Sequence, residues 1–250
     1  MDALAPFLAR PAEAAVVLDF DGTLSPIVDV PAEARPGPGA VEALAALVGH
    51  LGLVGVMSGR PVEFLAPQLP PGVVLSGLYG LEVVRDGHRT DHAGAGAWRE
   101  VVADVARRSA EQGPEGMVVE SKGLSLTLHY RTRPDLGGAV QAWAEGQAAR
   151  SGLEVRAAKM SVELHPPLPA DKGTALEALT AGMTAVAYVG DDRGDLPAYD
   201  ALDRMAAAGG VDTLRVAVAS AEAPQDLLRR ADLVLDGPAA VVDLLRRLAP

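Results

Sequence analysis

Residues Val16–Leu24 read Val-Val-Leu-Asp-Phe-Asp-Gly-Thr-Leu, and the order of apolar, acidic and turn residues there points to an open α/β sheet. Three apolar residues, two of them β-branched, run straight into Asp19 and Asp21, and Gly22 then permits a sharp turn. A short strand of a parallel sheet, buried on both faces, ends this way. In open α/β sheets the ligand crevice lies outside the carboxyl ends of the strands. Two carboxylates two residues apart at such an end can supply a nucleophile, a proton shuttle and a metal ligand. Taken alone, such a pair reads more readily as an acidic turn after a strand. An EF-hand loop is excluded, because the further acid and the closing Glu of that pattern are absent.

Working outward, strand and helix patterns alternate. Strand Ala15–Phe20 precedes a helix near Gly39–His50, a strand at Leu53–Met57, a short helix after Pro61 and a strand near Val73–Leu75. The Pro/Gly-rich piece Pro31–Gly39 reads as a loop over the mouth of the first strand. The middle of the chain changes character. Helical stretches near Ala97–Glu111 and Leu136–Arg150 enclose strand runs at Met117–Glu120 and Leu124–Arg131, and a further run follows at Leu153–His165. The alternation then resumes with helix Lys172–Ala181, strand Ala185–Val189, helix Leu196–Ala208, strand Leu214–Ala219, helix Pro224–Arg230, strand Leu233–Leu235 and a terminal helix. The expected architecture is a doubly wound α/β core of parallel strands formed from both ends of the chain, residues 1–91 and 168–250, with an inserted α+β domain over 92–167.

Composition narrows the function. The chain has 250 residues, 49% hydrophobic and 22% charged, which is a globular balance with ample core. It has no Cys, so disulfides, thiolate metal sites and a Cys nucleophile are excluded. A basic segment ahead of an apolar run is absent near Asp2, so no signal peptide is expected. The longest charge-free stretch, Phe64–Leu81, is broken by Pro67, Pro70, Pro71, Gly72 and Gly77 and will not span a bilayer. A soluble cytoplasmic monomer is the expectation, without a membrane partner. Net charge is −11, which argues against nucleic-acid binding, since that relies on clustered cations. An anionic substrate site must therefore reverse the local sign with a metal or a placed cation. Three lysines, Lys122, Lys159 and Lys172, stand against nineteen arginines, so each lysine is a candidate for a site that needs a compact point charge.

Three more segments carry chemistry. Met57-Ser58-Gly59-Arg60 ends the second strand with a hydroxyl, a glycine and a cation, a fair phosphate cradle, though alone it reads more readily as an ordinary helix-entry turn. Asp171-Lys172-Gly173 opens a helix, so Lys172 and the helix N-terminus can both address an anion, or Asp171 simply caps the helix beside a surface lysine. Gly190-Asp191-Asp192-Arg193-Gly194-Asp195 ends a buried strand with three acids. Each close pair of such acids repels by about 4 kcal/mol at an effective dielectric near 20, so a cation is expected. Oxygen-only donors without His or Cys suit Mg²⁺.

In this order the four segments resemble the haloacid dehalogenase superfamily of aspartyl-phosphate enzymes. The resemblance implies that Asp19 is the nucleophile and Asp21 the general acid and base. It implies that Ser58, Gly59 and Lys172 hold the phosphoryl group. It also implies Mg²⁺ on the Asp19 carboxylate, the Asp21 carbonyl and Asp191, with Asp192 and Asp195 orienting metal waters or Lys172.

The inserted domain has a pattern of its own. Leu124, Leu126, Leu128 and Tyr130 alternate with Ser125, Thr127, His129 and Arg131, and Met160, Val162 and Leu164 alternate with Lys159, Ser161, Glu163 and His165. Period two places each polar set on one sheet face, while the apolar set packs on helices carrying Trp98 and Trp143. The polar face is either solvated or built to hydrogen-bond sugar hydroxyls.

Glu120-x-Lys122-Gly123, His129-Tyr130-Arg131 and Glu163-x-x-Pro166 ahead of Asp171-Lys172-Gly173, together with Asp19–Ile27, are similar to the trehalose-6-phosphate phosphatase family over nearly the whole chain. The likeness implies a cap domain whose Glu120, Lys122 and Glu163 contact the disaccharide, with His129 and Arg131 beside them. The chain departs from the family pattern at Tyr79, His165, Gly194 and Leu196. Those changes bear on the exact substrate and rate. The expected activity is Mg²⁺-dependent hydrolysis of a small sugar phosphate, most simply trehalose 6-phosphate. A related disaccharide or pseudo-disaccharide phosphate, a sugar phosphomutase and a silent sugar-phosphate sensor are the alternatives.

Overall fold

The computed structural model describes residues 3–250 apart from 29, 159 and 222, so Lys159 lies outside the described residues. Twelve strands occur among them: β1 (Ala14–Leu18), β2 (Leu53–Met57), β3 (Val74–Gly77), β4 (Glu82–Arg85), β5 (His88–Asp91), β6 (Val118–Ser121), β7 (Leu126–His129), β8 (Glu154–Ala158), β9 (Ser161–His165), β10 (Ala185–Gly190), β11 (Asp212–Ala219) and β12 (Leu233–Asp236). The helices are α1 (Ala5–Ala9), α2 (Ala40–Leu47), α3 (Val62–Leu65), α4 (Arg99–Gln112), α5 (Gly137–Ser151), α6 (Lys172–Leu179), α7 (Leu196–Ala208), α8 (Gln225–Arg230) and α9 (Gly237–Leu248). They form two compact units, residues 1–90 with 170–250 and residues 91–169. None of the helices is long and apolar enough to cross a membrane.

The first unit holds an eight-stranded sheet in the order β12-β11-β10-β1-β2-β3-β4-β5. From β12 to β3 every neighbouring pair is parallel, and β4 joins β3 antiparallel. Alternate residues of β1 serve opposite faces. Val16 and Leu18 pack with Leu44 and Leu47 of α2 and Val241 and Leu245 of α9. Ala15 and Val17 pack with Leu176 of α6 and Tyr199 and Leu202 of α7. Both faces of the sheet are thus covered, which is why these strands read as unbroken apolar runs. The strand order reverses between β1 and β10, and a crevice opens at the carboxyl ends of strands at such a switch.

The hairpin β4–β5 is absent from the expected architecture. Its turn is Asp86-Gly87, with φ of 52° and 76°, the pair of positive values a two-residue hairpin loop requires. The expected strand run Leu153–His165 is two strands, β8 and β9, paired antiparallel, with Met160 at φ 53° between them.

The second unit is a four-stranded antiparallel sheet, β6-β7-β9-β8. Leu126, Leu128, Val162 and Leu164 point to one face and pack on Val102 and Val105 of α4 and Val140 and Ala144 of α5. Trp143 lies against this layer and its indole N–H donates to Ser109 Oγ at 3.0 Å.

Candidate active site

β1 delivers Asp19 one residue past its end, where the Asp19 amide still donates to the Val189 carbonyl of β10 at 2.8 Å. Asp191 follows β10 directly. The two acid loops approach so closely that a Cβ on Gly22 (φ 79°) would lie 2.0 Å from Asp191 Oδ2. Glycine is required at position 22 on both counts.

Lys172 is the first residue of α6. Asp171 caps that helix: its side chain accepts from the Thr174 amide at 2.7 Å, and the Thr174 hydroxyl accepts from the Asp171 amide at 3.1 Å. Both bonds fix the helix start and so aim Lys172. The buried Lys172 Nζ donates to Asp19 Oδ1 and to Asp195 Oδ1, each at 2.7 Å. Asp195 is saturated, since Oδ1 also accepts from the Tyr188 hydroxyl at 2.7 Å and Oδ2 accepts from the amides of Asp191 (2.8 Å) and Asp192 (3.0 Å). Asp192 accepts from the Gly194 amide at 2.7 Å. By contrast, Asp191 Oδ1 is buried with no hydrogen-bond partner. Carboxylate oxygens of Asp19, Asp191 and Asp195 lie within 4.8 Å of one another.

Such crowding shifts the titration of the cluster. Burial pushes the Asp19 carboxyl well above the usual range, with Lys172 opposing the shift and the neighbouring acids adding to it. Asp191 is pushed up to about 8 by burial and then by Asp195 and Asp192, and Asp192 moves in the same direction by burial and Asp195. For Lys172, burial works against the charge, but Asp19 and Asp195 outweigh it and keep the ammonium protonated. The site is an excess of negative charge around one fixed cation, and an unpartnered buried carboxylate oxygen is costly without a ligand.

Ser58 and Gly59 follow β2. The Ser58 amide donates to the Ser76 carbonyl at 2.9 Å, and a Cβ on Gly59 would lie 2.6 Å from the Tyr79 ring and hydroxyl. Asp21 is not part of the close acid group. Both of its oxygens accept from Arg60, at 2.6 and 2.7 Å. The sequence offers Arg60 as a cation for phosphate and leaves Tyr188 without a role. A tyrosine in an otherwise apolar buried strand must find a partner for its hydroxyl, and that was the available signal.

In the second unit, the register sets Glu120 opposite Thr127, Thr127 opposite Glu163, and Glu163 opposite Arg156, a polar row across all four strands. Buried Glu163 accepts from the Ser125 hydroxyl at 2.9 Å and lies 3.5 Å from Lys122 Nζ. His129 Nε2 meets Glu120 Oε2 at 2.8 Å. Thr127 Oγ1 is buried without a partner. His165 Nδ1 donates to the Pro166 carbonyl at 2.9 Å, and Arg131 follows β7 in the turn that leads to Pro134. Arg156 is a member of the row that sequence reasoning missed. Its strand was merged with β9, so its parity could not be read.

A family model described as Trehalose-phosphatase matches residues 17–232. The trehalose-phosphate phosphatase of Mycobacterium avium (strain 104) is 34% identical over 247 residues, covering 94% of this chain and 62% of that protein. The chain thus spans less than two thirds of the length of that curated relative. Among solved structures, a trehalose-6-phosphate phosphatase related protein aligns with a TM-score of 0.79 at 22% identity, covering 94% of this chain and 96% of the other. The C-terminal domain of C. albicans trehalose-6-phosphate phosphatase aligns with a TM-score of 0.77 at 24% identity, covering 99% and 96%. At such identities the structural likeness bears on the fold.

Proposed function

The chain belongs to the trehalose-phosphatase family, and from that premise we propose that it is a phosphomonoesterase that hydrolyses trehalose 6-phosphate. The observation that carries this reading is the buried 2.7 Å contact of Lys172 Nζ with Asp19, beside the unpartnered oxygen of Asp191. It sets an acid able to attack phosphorus next to a cation able to hold the phosphoryl group.

In the first step an Asp19 oxygen forms a bond to phosphorus as the bond from phosphorus to the sugar oxygen breaks. Asp21 gives that leaving oxygen its proton, and the sugar departs as an alcohol. In the second step Asp21 takes a proton from water, whose oxygen displaces phosphate from Asp19. Lys172, the Ser58 hydroxyl and the Gly59 amide hold the phosphoryl oxygens throughout, and Lys172 must pass from Asp19 toward the phosphoryl group as it arrives.

The donors around Asp191 are all oxygens, and its spare Oδ1 fits a hard divalent ion. Mg²⁺ would be held by the Asp19 carboxylate, the Asp21 main-chain carbonyl and Asp191, and the chemistry it supplies when bound is neutralisation of charge on acids and phosphate. Asp195, with its four donors, and Asp192, held by the Gly194 amide, keep Lys172 and Asp191 in place.

We assign sugar recognition to the polar row of the inserted unit, in which Glu120, Lys122 and Glu163 bond to sugar hydroxyls with His129 and Arg131 beside them. We propose that the chain works as a monomer. Phosphate release across trehalose 6-phosphate, sucrose phosphate, glucose 6-phosphate and p-nitrophenyl phosphate tests the reading. Trehalose 6-phosphate should give the highest kcat/KM. Faster turnover of another disaccharide phosphate would reassign the substrate, and isomerised phosphate in place of free phosphate would overturn the reaction.

A further inference from the structure

Arg60 leaves the end of β2 and turns toward Asp21. Its Nε donates to Asp21 Oδ2 at 2.6 Å and one terminal nitrogen donates to Oδ1 at 2.7 Å, the planar fork in which guanidinium and carboxylate match. The other terminal nitrogen donates to the Pro31 carbonyl at 2.8 Å. The guanidinium carbon lies 4.2 Å from the centre of the Phe64 ring and 6.0 Å from that of Phe20. The backbone of Arg60 is tied as well: its amide donates to Ser58 Oγ at 3.1 Å, and its carbonyl accepts from the Leu78 amide at 3.1 Å. An exposed ion pair contributes little and needs no such bracing. Here the arginine is held on every side and is 15% exposed, whereas its carboxylate partner is 34% exposed. One member is fixed, and the other has room to move.

We propose that Arg60 is the positioning residue for Asp21 in proton transfer. This rests on the reading of Asp21 as general acid and base. In the fork both carboxylate oxygens are engaged. Turning Asp21 so that one oxygen keeps its bond to Nε frees the other for the leaving sugar oxygen, with the carboxylate plane still aimed. The freed oxygen takes up a proton from water, and that proton passes from Asp21 to the leaving oxygen as its bond to phosphorus breaks. Arg60 exchanges no proton and stays charged.

The test uses Arg60→Gln, Arg60→Lys, Asp21→Asn and the double variant Asp21→Asn with Arg60→Gln, each checked for an unchanged melting profile. Single-turnover phosphorylation is followed with trehalose 6-phosphate, a poor leaving group, and p-nitrophenyl phosphate, a good one. Arg60→Gln should slow the sugar phosphate roughly 10- to 100-fold, a share of the 10²–10⁴ that proton transfer contributes. KM and the aryl phosphate rate should stay within a few-fold. Added to Asp21→Asn, Arg60→Gln should cost nothing more, and Arg60→Lys should recover part of the loss through one of the two bonds. Equal losses on both substrates, or a loss that multiplies with that of Asp21→Asn, would overturn the assignment and leave a structural ion pair. If Asp21→Asn itself shows no dependence on the leaving group, the parent reading of Asp21 fails, and the role of Arg60 falls with it.

Discussion

At the strand ends of the first unit, Asp19, Asp191 and Asp195 are between 0% and 7% exposed and share one buried cation, Lys172. On the sheet of the second unit, Lys122 lies beside Glu163 and His129 bonds to Glu120, which keeps 39% of its side chain exposed. The first arrangement stores repulsion that only an incoming cation or proton relieves. The second is nearly neutral and keeps its donors and acceptors in a fixed row. A charge-loaded centre suits phosphoryl chemistry, and a neutral polar row suits a hydroxyl-rich ligand. If the contrast is sound, substitutions in the two regions must differ in kind as well as in size.

The largest effect is expected at the proposed nucleophile. Asp19→Asn removes the attacking oxygen and should lower turnover by several orders of magnitude on every phosphate ester, large or small. The fold should survive, because Lys172 keeps Asp195 as a partner. Residual activity within tenfold of wild type on either substrate would break the assignment.

Next come the paired residues of the second unit. Glu163→Ala and Lys122→Ala should each lower kcat/KM for the disaccharide phosphate about 100-fold, if each removes a charge-assisted bond of about 1.5–3 kcal/mol. Hydrolysis of p-nitrophenyl phosphate should stay within a few-fold, because an aryl group offers no hydroxyl for the polar row to bind. Equal losses on both substrates would mean that the row stabilises its own sheet and reads no sugar. The comparison would then lose one side.

How far each region could be read from the sequence follows the same divide. Asp19, Lys172 and Asp191 were legible because a buried apolar run or a helix start leads directly into each, and local spacing reports strand ends well. The doubly wound core was legible for the same reason. Hairpin β4–β5 was not, since Glu82, Arg85, His88, Arg89 and Asp91 carry no apolar alternation at that edge of the sheet, and only Asp86-Gly87 marked its turn. The parity of β7 and β9 was readable, and their polar residues do share a row. Arg156 was lost with the turn before β9. The partner of Asp21 lies 39 positions away, a separation on which no local pattern reports.

A smaller effect tests the stored repulsion through the metal. Mg²⁺ at 100 times its dissociation constant should stabilise the fold by about 2.7 kcal/mol, read as a rise in Tm. Asp191→Ala should weaken that response and raise the metal-free Tm, because it removes an acid whose Oδ1 is buried without a partner. No substitution on the polar row should change the metal response. A Tm unmoved by millimolar Mg²⁺ would count against a magnesium site at these acids.

The dependence of metal-free stability on pH tests the same stored repulsion. Burial first, and then Asp195 and Asp192, push Asp191 up to about 8 in the folded chain, while an unfolded carboxylate titrates near 4. The folded state therefore binds more protons than the unfolded state between those values, and stability falls as pH rises. The contribution of Asp191 is fully present below about pH 4 and is lost as pH climbs through about 8. The upward shifts of Asp19 and Asp192 act in the same direction. In chelator, Tm should decline from pH 5 to pH 8. Mg²⁺ should restore Tm most strongly at the alkaline end, where fewer protons compete for the carboxylates. Asp191→Asn should flatten the decline, because its amide does not titrate. If Tm in chelator rises across this range, the acids are relieved by groups within the fold, and the contrast between a charge-loaded centre and a neutral row does not hold.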